Sequence, residues 1–196
     1  MLIRKSLVAL IAAIFVLTSL PGCILDPKES VEEVPVEPVE WPDRTDREDV
    51  IEIVLLVYET EDIEKYKEVL LKPDSHDDYP EGFYWFHQIE DVRDDAVSED
   101  YWGYTVDWQT TGMVLDHEAG LELKIYPGTW ESEDDFRGIP CDDCWKTIRG
   151  YKIDITLDDG RHFISDYYVQ FVIGPDPDNQ NKYVIYAMRD LREGAQ

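Results

Sequence analysis

The spacing of apolar residues changes once along this chain, and that change limits the folds open to it. Between Val50 and Leu71 apolar side chains recur at helical intervals. From Leu121 onward they recur at every second position, as in Leu121, Leu123 and Ile125, or Ile153, Ile155 and Leu157. Helices followed by a run of alternating strands specify an α+β domain, with N-terminal helices packed on one face of a curved antiparallel sheet.

The first helix is predicted to open at a capping box, Thr45-Asp46-Arg47-Glu48, with Thr45 capping the third helical amide and Glu48 reaching back. Val50, Ile51, Ile53, Val54, Leu55, Val57 and Tyr58 cover most of its circumference, so it is expected to be largely buried. An acidic break from Glu59 to Asp62 leads to a second helix, Ile63 to Leu71, with Ile63, Tyr66, Val69 and Leu70 as one stripe; Pro73 stops it. Phe83 to Ile89 suits a strand, and Asp91 to Glu99 is charged and without period. Trp102 to Met113 reads as a third helix packing through Trp102, Val106, Trp108 and Met113. Strands are expected at Leu121–Tyr126, Thr147–Leu157, Phe163–Ile173 and Tyr183–Leu191, with a tight hairpin at Asp158-Asp159-Gly160 and a loop from Gly174 to Asn179.

The N-terminus speaks to location. Arg4 and Lys5 precede an apolar run from Leu7 to Leu20, and small residues close it at Pro21-Gly22-Cys23. A positive head, a short apolar span and a small-residue end read as a secretory signal over residues 1–22, not as a spanning helix. The cysteine that follows resembles the lipobox of bacterial lipoproteins. That resemblance implies cleavage before Cys23 and lipidation of its thiol, so the protein is expected at the cell envelope, outside the cytoplasm and tethered to a membrane. Residues 23–44 carry Pro27, Pro35, Pro38 and Pro42 among acidic residues and have no helical or strand period. They read as an extended tether, stiffened by proline and charge repulsion. The folded domain is expected over residues 45–193.

Charge removes one class of partner. The 196-residue chain has a formal net charge of −26, and loss of Arg4 and Lys5 with the leader takes it to −28. Such a surface repels phosphate backbones, so nucleic acid is not an expected partner.

Two segments carry a family resemblance. Val54-Leu55-Leu56-Val57-Tyr58-Glu59-Thr60-Glu61-Asp62-Ile63-Glu64-Lys65-Tyr66 resembles the opening of the nuclear-transport-factor-2-like superfamily, which includes ketosteroid isomerase and the SnoaL-like cyclases. The closing Tyr183-Val184-Ile185-Tyr186-Ala187-Met188-Arg189-Asp190-Leu191 resembles that superfamily's last strand, with Met188 where members often carry Trp. The resemblance implies a cone-shaped fold enclosing a pocket. It also implies a test of the isomerase chemistry, because that enzyme's oxyanion-donating Tyr falls here on Leu55, which cannot donate a hydrogen bond. Domains of this fold often form homodimers through the open sheet face.

The remaining candidates are local. Lipidation of Cys23 leaves one pair, Cys141 and Cys144 in Cys141-Asp142-Asp143-Cys144. As a redox couple it lacks a following helix, and two acids between the thiols raise their pKa. As a zinc site it lacks a second ligand pair. A structural disulfide in an oxidising compartment fits best. Asp116-His117-Glu118 and His76-Asp77-Asp78 have no metal-ligand spacing, and no metal or cofactor is implied. The aromatic set suits either a core or a cavity lining, and Tyr58, Trp85 and Trp108 are the candidate ligand-pocket residues. The expected role is non-catalytic binding of a small ligand or an envelope protein. A lyase or isomerase of the SnoaL or ketosteroid type and a purely structural module are the alternatives.

Overall fold

The computed structural model describes residues 38–87 and 101–191. The predicted leader, most of the tether and the charged 91–99 segment lie outside the described residues. Three helices come first: α1 (Arg47–Thr60), α2 (Ile63–Val69) and, after two short strands, α3 (Tyr104–Asp116). The strands are β1 (Tyr84–Phe86), β2 (Tyr101–Gly103), β3 (Glu118–Ile125), β4 (Trp130–Phe136), β5 (Ile139–Leu157), β6 (His162–Asp176) and β7 (Asn179–Leu191). The α+β arrangement expected from the period switch is therefore present.

The cap of α1 sits one residue later than the sequence suggests. Asp46 is the N-cap, accepting from the Glu48 amide at 2.9 Å, and Asp49 accepts from the Asp46 and Thr45 amides at 3.0 and 2.9 Å. Glu48 is thereby released from capping. It instead accepts from the Arg149 guanidinium at 2.6 Å and the Trp130 indole N–H at 2.8 Å. The hydrogen bond from Arg149 is the main reason the Glu48 carboxyl is held below its ordinary value. Val50, Ile51, Ile53, Val54 and Val57 are buried, as a helix apolar around most of its girth requires. Asp62 caps α2 by accepting from the Lys65 amide at 3.1 Å.

The seven strands form one sheet in the order β2-β1-β7-β6-β5-β3, with β4 also paired to β5. It is mixed, because β1 runs parallel to β7, with Trp85 beside Met188. The sheet departs from the expected antiparallel pairing at that seam, where Tyr84–Phe86 enters beside the last strand. β5 is 19 residues long and pairs with β6, with β4 along its first half and with β3 along its second. Between Leu157 and His162 the chain turns as a short hairpin loop whose Gly160 has φ +81°, the left-handed position such a loop needs. The expected loop at Gly174–Asn179 is mostly strand, and only Pro177 and Asp178 turn.

The first half of β5 adds two cysteines to the apolar core beside Tyr79, Phe86, Phe136 and Tyr186. Cys141 and Cys144 form a disulfide with Cα atoms 5.5 Å apart, and both are fully buried. Cys144 lies against Gly174 of β6 so closely that a Cβ there would sit 2.5 Å from its Sγ and 2.8 Å from the Tyr186 ring. Around it Tyr79 and Tyr186 meet edge to face at 5.0 Å, and Phe86 meets Phe136 at 5.5 Å. β4, with the sequence Trp-Glu-Ser-Glu-Asp-Asp-Phe, pairs with β5 alone. Its four acids leave no alternation to read, so it went unpredicted.

Candidate functional site

Between α1 and the sheet lies a cavity of about 180 Å³. The helices contribute Val54, Tyr58 and Tyr66, and β1 contributes Trp85. The sheet floor is Leu123 and Ile125 from β3, Tyr151 and Ile153 from β5, Val169 and Phe171 from β6, and Met188 from β7. This floor follows from register. Leu123 stands opposite Ile153 and Ile125 opposite Tyr151, and opposed residues of antiparallel strands share a face. The period-two pattern thus sends one apolar set into the cavity.

Of the three sequence candidates, Tyr58 and Trp85 stand on this lining and Trp108 does not. Trp108 is half-buried against the core, with the Lys67 ammonium 4.0 Å from its ring centroid. The other tryptophans also serve elsewhere. Trp145 and Trp130 flank the Arg47 guanidinium at 4.0 and 5.1 Å, and Trp102 pairs with Trp85 across β1 and β2.

The third helix differs from its expected packing, and the difference supplies the polar part of the site. It begins at Tyr104, after Trp102 has been used in β2. Val106 and Met113 are 46% and 59% exposed. The side chains it buries are Asp107, Thr111 and Leu115. Two of these are polar, so an apolar-stripe reading selects the wrong face.

Asp107 is 4% exposed and accepts from the Tyr66 hydroxyl at 2.8 Å. Burial pushes its carboxyl up to about 7, against the lowering effect of that hydrogen bond. Thr111 stands on the same face of α3, one turn further on, and is also buried. Burial, then the nearby Asp107, raises the Tyr58 phenol to about 12 and the Tyr66 phenol well above its ordinary value. At neutral pH both tyrosines are therefore intact O–H donors. On the sheet side the Tyr151 hydroxyl lies 3.2 Å from both Ser165 Oγ and Asp190 Oδ1, and burial raises its pKa as well. Among the described residues the lining includes three tyrosines but neither a carboxylate nor a histidine. No group of three or more metal-ligating side chains occurs among them.

No family profile matches the sequence, and no curated protein matches it significantly. Solved structures do match the fold. A nuclear transport factor 2 (NTF2-like) superfamily protein from Salmonella enterica aligns over 75% of this chain and 90% of its own, with TM-score 0.52 and 11% identity. A protein from Streptomyces avermitilis, provisionally named as a dehydratase of the NTF2-like family, aligns over 72% and 88%, with TM-score 0.51 and 10% identity. One from Novosphingobium aromaticivorans, provisionally named as an aromatic ring hydroxylase, aligns over 78% and 90%, with TM-score 0.53 and 8% identity. The chain has the NTF2-like α+β fold, in which the described residues form three helices on a curved, open, mixed sheet of seven strands.

Proposed function

We propose that this chain is an exported, lipid-anchored envelope protein that binds a compact apolar molecule without transforming it. The observation that carries the binding part is the unfilled cavity under α1. Its volume of about 180 Å³ slightly exceeds the roughly 150 Å³ in which an engineered apolar cavity holds benzene. One aromatic or alicyclic ring with a short substituent is the fitting size. Apolar walls supply the binding energy, and the tyrosines supply orientation.

A catalytic reading of the isomerase or dehydratase type draws on the buried Tyr66–Asp107 pair. It also needs a base touching the substrate, and the described lining offers none. Binding without chemistry accounts for the same residues with fewer parts. The interaction-module reading rests on a different surface. Tyr126, just past β3, and Ile148, Ile164 and Tyr168 on β5 and β6 are exposed.

The binding reading is tested by thermal unfolding with and without toluene. Ligand at ten times its Kd stabilises by about 1.4 kcal/mol, which raises Tm by roughly 3–6 °C for a domain of this size. Leu123→Phe, which fills the floor, should abolish that shift. If toluene and other single-ring compounds leave Tm unchanged in the wild-type chain, the binding reading fails.

The envelope location rests on the Arg4-to-Cys23 leader and the acidic tether. Among the described residues no helix is long and apolar enough to cross a membrane. Attachment through an acylated Cys23 would stabilise membrane association by about 0.8 kcal/mol per buried methylene. Expression of Cys23→Ala should yield protein lacking the acyl mass and displaced from the membrane fraction. Equal membrane retention of wild type and variant would remove the anchor from the proposal.

A further inference from the structure

The apolar floor of the cavity runs into a polar rim built by β5, β6 and β7. Asp190 stands opposite Val169 and two residues beyond Met188, and both of these line the cavity. Opposed residues of antiparallel strands share a face, and so do residues two apart on one strand. Asp190 therefore lies on the cavity side of the sheet. Ser165 is placed there by the same rule, opposite the lining residue Ile153. Tyr151, itself on the lining, joins the two: its hydroxyl is 3.2 Å from Asp190 Oδ1 and 3.2 Å from Ser165 Oγ. All three residues are half-buried.

The rim is one-sided in its chemistry. A phenol has one proton, and Tyr151 gives its own to Asp190, so the Ser165 hydroxyl is left to donate to the Tyr151 oxygen. Burial first, and then the Asp190 charge, raises the Tyr151 phenol and keeps that proton in place. An ionised carboxylate accepts and does not donate. Tyr151 is not the only contact of Asp190, and a carboxylate has about four lone-pair positions, so several donors can share it. Among the described residues the lining holds no Lys, Arg or His. Arg189, the neighbour of Asp190 on β7, is exposed, and strand alternation puts it on the opposite face. An acceptor charge thus stands beside a cavity walled by the aromatic rings of Tyr58, Trp85 and Phe171, which also favour a cation.

We propose that Asp190 is the specificity-determining contact of the cavity, and that the ligand it selects is a single ring carrying a primary ammonium on a one-carbon arm, as in benzylamine. The ring lies on the apolar floor, and the ammonium donates to Asp190 at the rim. This rests on the binding reading given above and names its ligand class. A carboxylate head in the same place meets the Asp190 charge with no cation in the lining to offset it, so ring acids are rejected. The strongly negative chain adds to that preference at long range.

The test is titration calorimetry on the full chain at neutral pH, with toluene, benzylamine and benzoate. Benzylamine is expected to bind and to displace toluene, and benzoate to do neither. Asp190→Asn keeps an oxygen for the Tyr151 proton and removes the charge. It should weaken benzylamine by roughly tenfold to a hundredfold, the worth of a hydrogen bond to a charged group, and leave toluene binding unchanged. If Asp190→Asn loses toluene as well, Asp190→Glu, which restores the charge, must recover benzylamine binding, and its failure to do so counts against the subsite. Benzoate displacing toluene as well as benzylamine does, or benzylamine binding undiminished in Asp190→Asn, overturns this proposal and leaves the cavity as a binding site. Failure of toluene and benzylamine alike to bind the wild-type chain overturns the binding reading itself, and this proposal with it.

Discussion

Asp107→Asn is expected to raise the stability of the fold at pH 8 by about 2–4 kcal/mol and to remove a decline that the wild-type chain shows between pH 4 and pH 7. The sign follows from linkage. Burial lifts the folded-state pKa of Asp107 to about 7 from an ordinary 3.8. Between those values the folded protein binds more protons than the unfolded chain, so stability falls as pH rises. Above pH 7 the folded state bears the full cost of a buried carboxylate. A shift of this size corresponds to about 4 kcal/mol, and the desolvation of the substituted amide reduces the gain. Asparagine retains an oxygen to accept from Tyr66, while its NH2 brings two donors into the core, which is the source of that reduction. Other carboxylates, such as Glu48 with its lowered pKa, act in the opposite direction, so the difference between variant and wild type is the quantity to read. Urea unfolding at pH 5 and pH 8 makes the check. A variant equally or less stable at pH 8 would show that Asp107 is not desolvated as its setting implies.

The second large effect is at Gly174. Its substitution by alanine should cost on the order of 1–3 kcal/mol, because the new methyl meets the Cys144 sulfur and the Tyr186 ring at distances that packed atoms do not tolerate. The disulfide itself should contribute only about 2 kcal/mol, since it closes a short loop. The two changes share a sulfur and should not add. Replacing both cysteines by alanine opens the space that the Gly174→Ala methyl requires. The triple variant should therefore lose at least 1 kcal/mol less than the separate losses combined. Strict additivity in denaturant unfolding would mean that the sulfur does not set the fit at Gly174.

The sequence reveals the fold through its spacing and conceals the site through its composition. α1 buries the apolar residues that its period picks out, and Leu123, Ile125 and Ile153 line the cavity as theirs implies, because one apolar face settles both register and orientation. Tyr58 and Trp85 could be chosen as lining from the same logic. Asp107 and Thr111 could not. They are polar residues at buried positions, and Val106 and Met113 beside them look like the better core residues yet stand exposed. The signal that exists is a spacing of four, which puts Asp107 and Thr111 on one helical face. It gains meaning only once Tyr66 is known to lie opposite. The cap of α1 failed for a related reason. Thr45 and Asp46 both suit the cap, and the choice fell to Asp46 because Glu48 is claimed by Arg149, 101 residues away.

β4 has one further bearing on a protein that would stand crowded with its own copies on a membrane. Glu131, Glu133, Asp134 and Asp135 load a strand paired on one side only. Bare strand rims invite a neighbour's backbone to zip on, and like charges repel such docking. The acidity that hides this segment from pattern reading thus acts as a guard against fibre growth between packed copies.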